Sequence, residues 1–181
     1  GKHGGGYRLV TQNKDAFSSG VINVSQVHYD DMPDRRLASA TALSTIFHPR
    51  PAHAPSMHMH ISYTETKAGD ASWRIMADLN PSLEGPSTDT AKRAFEQALR
   101  EAAGDLFDEG KHDGELYFYI PALKRHRGVS HFYLEGHRSG DAEKDRTFAI
   151  HFGTTMSECY ENILKETYSS LTQVSDAEKE T

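Results

Sequence analysis

Cysteine occurs once, at Cys159. A lone thiol excludes an intramolecular disulfide framework and any zinc site built from paired cysteines, and it fits a reducing compartment. Long apolar runs are missing as well. None approaches the roughly 18 residues needed to cross a bilayer, and no signal-peptide pattern opens the chain. There is no Cys-x-x-Cys, no His-Glu-x-x-His and no Ser-His-Asp signature. Gly4-Gly5-Gly6 lacks the following helix start and Lys-Ser/Thr of a phosphate loop, so it reads as a flexible entry turn. Excess positive charge is absent too. The net charge of −6 disfavours a general binder of nucleic acid or acidic membranes, although Lys124-Arg125-His126-Arg127 forms a local basic cluster. No internal repeat, low-complexity segment or regular βαβ alternation occurs, which argues against a doubly wound nucleotide fold. The 181 residues suit one domain with a real core, expected over 1–172 and followed by an acidic, frayed tail over 173–181. The expected location is the cytoplasm.

What the sequence does have is histidine in a pattern. Residues 56–63 alternate between polar and apolar, so a strand there sends His58, His60 and Ser62 to one face. Met57, Met59, Ile61 and Tyr63 take the other, the natural core face. Same-face neighbours lie roughly 6.5–7 Å apart, close enough for two imidazoles to serve one ligand. His48 and Arg50 arrive just before a Pro-rich connection over 49–55. Further strands are expected over 7–11, 21–28, 43–47, 72–79, 116–120 and 129–134. Residues 33–43 read as a short helix with Pro33 in its first turn. Over 88–108, Ala91, Ala94, Phe95, Ala98, Leu99 and Ala102 form the stripe of an amphipathic helix, which 111–114 breaks. A polar loop over 135–146 leads into a second long helix over 148–171. Six or seven strands with two long helices and short connections indicate an α+β fold on an antiparallel sheet.

The chemistry of the histidine face admits three readings. It is a metal site, with His58 and His60 joined by His48, Asp78, His131 or Glu135. It is an organic-ligand site, where imidazoles donate or accept protons near neutral pH. Or it is simply a polar face. Asp78, before Asn80-Pro81, is either a turn former or a carboxylate that accepts hydrogen bonds from ligand N–H groups. Arg127 is either a solvated turn charge or a bidentate partner for a carboxylate ligand. Met57 and Met59 belong to the core.

Several motifs converge on one family. His48-Pro49-Arg50 with Pro55-Ser56-Met57-His58-Met59 resembles the HPRNP…PT-x-HMN-x-R signature of oxygen-dependent coproporphyrinogen III oxidases. Gly4-Gly5-Gly6 and the stretch 17–25 (FSSGVINVS) are similar to that family's GGG and F-x-x-x-GVN-x-S. Trp73, Asp78-Leu79 and Pro81 match parts of WWFGGG-x-DLTP, and Tyr117-Phe118-Tyr119 with Arg127-Gly128-Val129 resembles YF[FY]…RG[IV]GG. Order and direction hold from Gly4 to Leu171. The resemblance implies a flat seven-stranded antiparallel sheet with helices on both faces, usually in a homodimer. It implies oxidative decarboxylation of two propionates of coproporphyrinogen III to vinyls in haem biosynthesis, with O2 as co-substrate and no organic cofactor. The metal content stays open. On this basis His58 is the proton-transfer residue, Asp78 holds the pyrrole N–H groups, and Ser44, His48, Arg50, His60 and Arg127 bind substrate. The alternative is a non-catalytic or re-purposed relative that binds a tetrapyrrole or other anionic ligand. The chain departs from the signature at His60 and Ser62, which replace Asn and Arg, at 74–77 in place of GGG, and at Ser130-His131 in place of GG. It also lacks the family's C-terminal glycine- and arginine-containing segment.

Overall fold

The structure, a computed structural model, describes residues 3–179, with side chains described up to Leu171. Six antiparallel strands form one sheet in the order β1-β2-β3-β4-β5-β8. They are β1 (Gly4–Val10), β2 (Phe17–His28), β3 (Leu37–Pro49), β4 (Ser56–Thr66), β5 (Ala71–Asn80) and β8 (Ser130–His137). A small ribbon pairs β6 (Tyr119–Ile120) with β7 (Arg125–His126). The helices are α1 (Pro86–Ala103), α2 (Phe107–Tyr117) and α3 (Ala142–Lys179). The expected α+β fold on an antiparallel sheet is what the chain adopts.

Strand alternation decides which face is buried. Met57 and Met59 of β4, Ile75, Ala77 and Leu79 of β5, and Phe132 and Leu134 of β8 all point to one side. There they meet Phe95, Ala98, Leu99 and Ala102 of α1 and Phe152, Met156, Tyr160 and Ile163 of α3. These helix residues recur at three- and four-residue spacing, the stripe read from the sequence. Each fully buried Phe, Leu or Met contributes roughly 1.5–3 kcal/mol. Tyr160 donates a hydrogen bond to the Pro55 carbonyl at 3.0 Å and so docks the Pro-rich connection on α3. No described helix is long and apolar enough to cross a membrane.

Five local expectations need correction. Residues 37–43 are strand, not helix, because β3 pairs along its length with β2 and with β4; two ladders outweigh the helix preference of its alanines. The break at 111–114 lies inside α2, and the true interruption is a 3₁₀ turn at Gly104–Leu106, where Gly104 has φ 52°. Gly110 and Gly114 are close-packing residues: a Cβ on Gly110 would lie 2.1 Å from the Phe132 ring. That contact lets α2 sit against the edge strand β8. The expected strand at 116–120 therefore shrinks to Tyr119–Ile120. Gly4-Gly5-Gly6 is the start of β1 rather than an entry turn, since a Cβ on Gly6 would meet the Val24 carbonyl at 2.2 Å. Helix α3 takes in 142–146 of the expected loop and the backbone of 173–179, and residues 180–181 of the expected tail lie outside the described residues.

Candidate active site

The second face of the sheet carries the polar residues in rows across the strands. One row is Ile46, His58, Asp78 and His131, and the next is Ser44, His60, Met76 and Tyr133. Beyond it, Ala42, Ser62 and Arg74 are directly paired. His48 and Ser56 close the other end, joined by a 2.9 Å hydrogen bond. The rings of His48 and His58 meet edge to face with centroids 5.5 Å apart. Ser44 Oγ and His60 Nδ1 are 2.6 Å apart. Ser44, His48, His58 and His60 are therefore brought together as expected.

At the centre of this face Asp78 is fully buried, and three side chains surround its carboxylate. Arg127 donates from Nη2 to Oδ1 at 2.7 Å and from Nε to Oδ2 at 3.1 Å. Asn80 Nδ2 donates to Oδ2 at 2.5 Å. His58 Nδ1 lies 3.6 Å from the same oxygen. Burial raises the Asp78 pKa, but hydrogen bonds from His58, Asn80 and Arg127 with the Arg127 charge outweigh it, and the carboxyl titrates below its ordinary value. This is a bidentate charge-assisted pair between a buried carboxylate and a half-exposed guanidinium.

Arg127 is held from behind as well as in front. Its guanidinium carbon sits 4.7 Å over the Phe118 ring, and its carbonyl accepts a short hydrogen bond from His131 Nε2. Phe118 in turn stacks on His131 with centroids 5.2 Å apart. The turn that aims Arg127 needs Gly128, which has φ 73°, and where a Cβ would stand 2.3 Å from the Leu79 carbonyl oxygen. The fork of Arg127, anticipated for a ligand carboxylate, is occupied here by the chain's own Asp78.

Further out, Arg74 pairs with Glu135 through Nε at 2.6 Å and Nη2 at 3.0 Å. The Tyr133 hydroxyl donates a short bond to the same carboxylate, and Tyr117 stacks on Tyr133 at 4.0 Å. Burial and the Glu135 hydrogen bond push the Tyr133 hydroxyl up to about 12. Burial lowers the pKa of His60, with Arg74 adding to the effect and Glu135 opposing it. Burial and the facing His58 lower that of His48. Arg50 lies past the end of β3, where its Nε donates to the Lys14 carbonyl at 2.7 Å. Among the described residues no group of three or more His, Cys, Asp or Glu is arranged to hold a metal ion.

Sequence reading missed the roles of Asn80, Phe118, Tyr133 and the Arg74–Glu135 pair. The signal for Arg74 was parity, since it shares even-numbered phase on β5 with Asp78. Two large apolar grooves, of about 490 and 540 Å3, lie on the opposite face around Leu43, Ile61, Trp73 and Ile150. The imidazoles and the carboxylate pairs lie on the histidine face and line neither groove.

The matches to known proteins run along the same segments that build this face. The sequence model of the family described as coproporphyrinogen III oxidase matches residues 1–180. The oxygen-dependent coproporphyrinogen-III oxidase of Rickettsia akari (strain Hartford) is 27% identical over 177 residues, covering 91% of this chain and 62% of that protein. The protein of the same name from Dictyostelium discoideum is 25% identical over 176 residues, covering 87% of this chain and 52% of its own length. That from Prochlorococcus marinus (strain MIT 9313) is 29% identical over 146 residues, or 73% of this chain and 41% of that one. The chain thus spans about three fifths of the first of these relatives and about half of the second. With a match over nearly its whole length, the chain belongs to the coproporphyrinogen III oxidase family.

Proposed function

We propose that this chain carries out oxygen-dependent oxidation of coproporphyrinogen III, converting two propionates to vinyls. One observation carries the reading above the others: His58 stands on an open sheet face, 3.6 Å from a fully buried, ion-paired Asp78. A carboxylate that faces Nδ1 fixes the orientation of the ring and leaves Nε2 for a ligand. His58 then takes or returns the pyrrole N–H proton, O2 adds to the electron-rich ring, and decarboxylation follows. Each conversion removes CO2, one proton and two electrons from a propionate, and O2 accepts the electrons. The reading calls for no organic cofactor.

Asp78 acts in the free protein as a positioning residue for His58 and Arg127. A direct contact with pyrrole N–H groups, the role implied by the resemblance, would use the acceptor capacity of Oδ1, which takes one bond from Arg127. Ser44, His48 and His60 line the same face as contacts for substrate, and Arg50 reaches it only if its bond to the Lys14 carbonyl is given up. A homodimer and a cytoplasmic location are part of the same proposal, supported by family membership.

The test is aerobic incubation of the purified protein with freshly reduced coproporphyrinogen III, the products being resolved as porphyrins by chromatography. The expected result is a two-vinyl product that requires O2. Spectral binding with unchanged substrate would overturn the catalytic reading in favour of a tetrapyrrole-binding relative.

A further inference from the structure

Among the described residues the histidine face carries three guanidinium groups: Arg8 on the edge strand β1, three strands across the sheet from His60, and Arg74 and Arg127 beside the histidines, each paired with a carboxylate of the chain itself. The two pairs differ in one decisive respect. Arg127 pairs with Asp78, whose side chain is 0% exposed, so exchanging that carboxylate for one from a ligand would strand a buried charge. Arg74 pairs with Glu135, and these side chains are 45% and 52% exposed. Glu135 can turn away from Arg74 at little cost while it keeps the bond from Tyr133, because an exposed ion pair is worth little. Of the two paired cations beside the histidines, Arg74 is the one that can trade partners.

Its place suits that exchange. Arg74 is the direct cross-strand partner of Ser62, one row beyond the row of His60. It stands about four residues along the sheet from the His58 row, roughly 13 Å at the rise of an antiparallel strand. A wide, flat macrocycle with carboxylates on flexible arms can cover that distance with its ring over His58 and one arm at Arg74. The Glu135 pair uses Nε and Nη2 of the guanidinium, which holds the fork in its bidentate geometry before any ligand arrives. Tyr133, on the same row as His60, donates to Glu135 and limits where that carboxylate can go.

We propose that Arg74 is the residue that anchors a carboxylate arm of the substrate, with Glu135 as an internal stand-in for that carboxylate that yields when substrate binds. The proposal rests on the functional reading above and assigns a specificity-determining role within that same site. It also accounts for a chain that lacks the signature's arginine at position 62: the guanidinium is supplied by the adjacent strand, opposite the same place.

The experiment is equilibrium binding of coproporphyrin III, a stable macrocycle with four carboxylates, to the wild type and to R74Q, R74K, E135Q and the R74Q/E135Q double variant. Thermal unfolding runs alongside to confirm that each variant is folded. R74Q is expected to weaken binding roughly tenfold or more, the size of a lost charge-assisted bond. R74K should restore only part of it, because an ammonium cannot make the forked contact. E135Q should tighten binding roughly threefold or more, because the competing charge is gone. The double variant should match R74Q. Opposite signs for R74Q and E135Q are the mark of a substrate anchor. If both leave binding unchanged, or both weaken it alike, Arg74–Glu135 is a surface pair only and the assignment fails while the tetrapyrrole reading stands. If the wild type does not bind coproporphyrin III, that reading fails and this role falls with it.

Discussion

His58→Ala is expected to lower turnover of coproporphyrinogen III by roughly 10²–10⁴, the usual contribution of a positioned general acid or base. The side chain is 20% exposed on the polar face of β4, with Asp78 on one side and the His48 ring edge-on at 5.5 Å. Its neighbours lack that carboxylate: His48 Nδ1 meets the Ser56 hydroxyl and His60 Nδ1 the Ser44 hydroxyl, and both have pKa values lowered by burial. The loss should fall on kcat, with KM little changed, because an alanine removes the proton carrier and leaves the ligand face otherwise intact. Steady-state kinetics on wild type and variant measure this, with a urea titration to show that the fold persists. A variant that kept full turnover would remove His58 from the chemistry.

Asp78→Asn is the second large effect, and it acts on stability. The amide keeps the shape of the carboxylate but not its charge, so the forked bond from Arg127 loses its charge assistance and one acceptor. Removing one member of a fully buried pair costs roughly 3–5 kcal/mol. The Arg127 side chain is 42% exposed and can rehydrate, so about 2–3 kcal/mol is expected here. Urea denaturation at neutral pH reads it directly as a lower midpoint. The pH dependence has a definite sign. The folded pKa of Asp78 is lowered below its ordinary value of 3.8, so its ionised form contributes stability above that value, and the contribution is lost as pH falls through the folded value. Wild type should therefore lose part of its stability in that acid window, while Asp78→Asn shows a flatter profile there. Equal stability of the two proteins at neutral pH would mean that the Arg127 pair adds nothing.

How much of this was legible beforehand depends on the range of the interaction. Alternation over residues 56–63 is local, and it placed His58 and His60 on one face because a slip of one residue would drive both imidazoles into the core among Phe152 and Met156. The stripe of α1 was legible for the same reason. Long-range events were not. Arg127 reaches Asp78 across 49 positions and Arg74 reaches Glu135 across 61, and nothing in either neighbourhood announces the partner. Residues 111–114 read as a helix break because the use of Gly114 and the neighbouring Gly110, a close approach to His131 and Phe132, exists only once α2 lies on β8. Residues 37–43 read as helix because two ladders with β2 and β4 cannot be seen from one segment.

Placing the ligand on the histidine face, and not in the apolar grooves on the other side of the sheet, is the claim on which the rest depends. The direct measurement is an NMR titration with coproporphyrin III, whose ring current shifts the resonances of the residues it covers. The expected result is that the largest shifts fall on His58, His60, Ser44 and Arg74. Largest shifts on Leu43, Ile61, Trp73 and Ile150, with the histidines unmoved, would contradict the account.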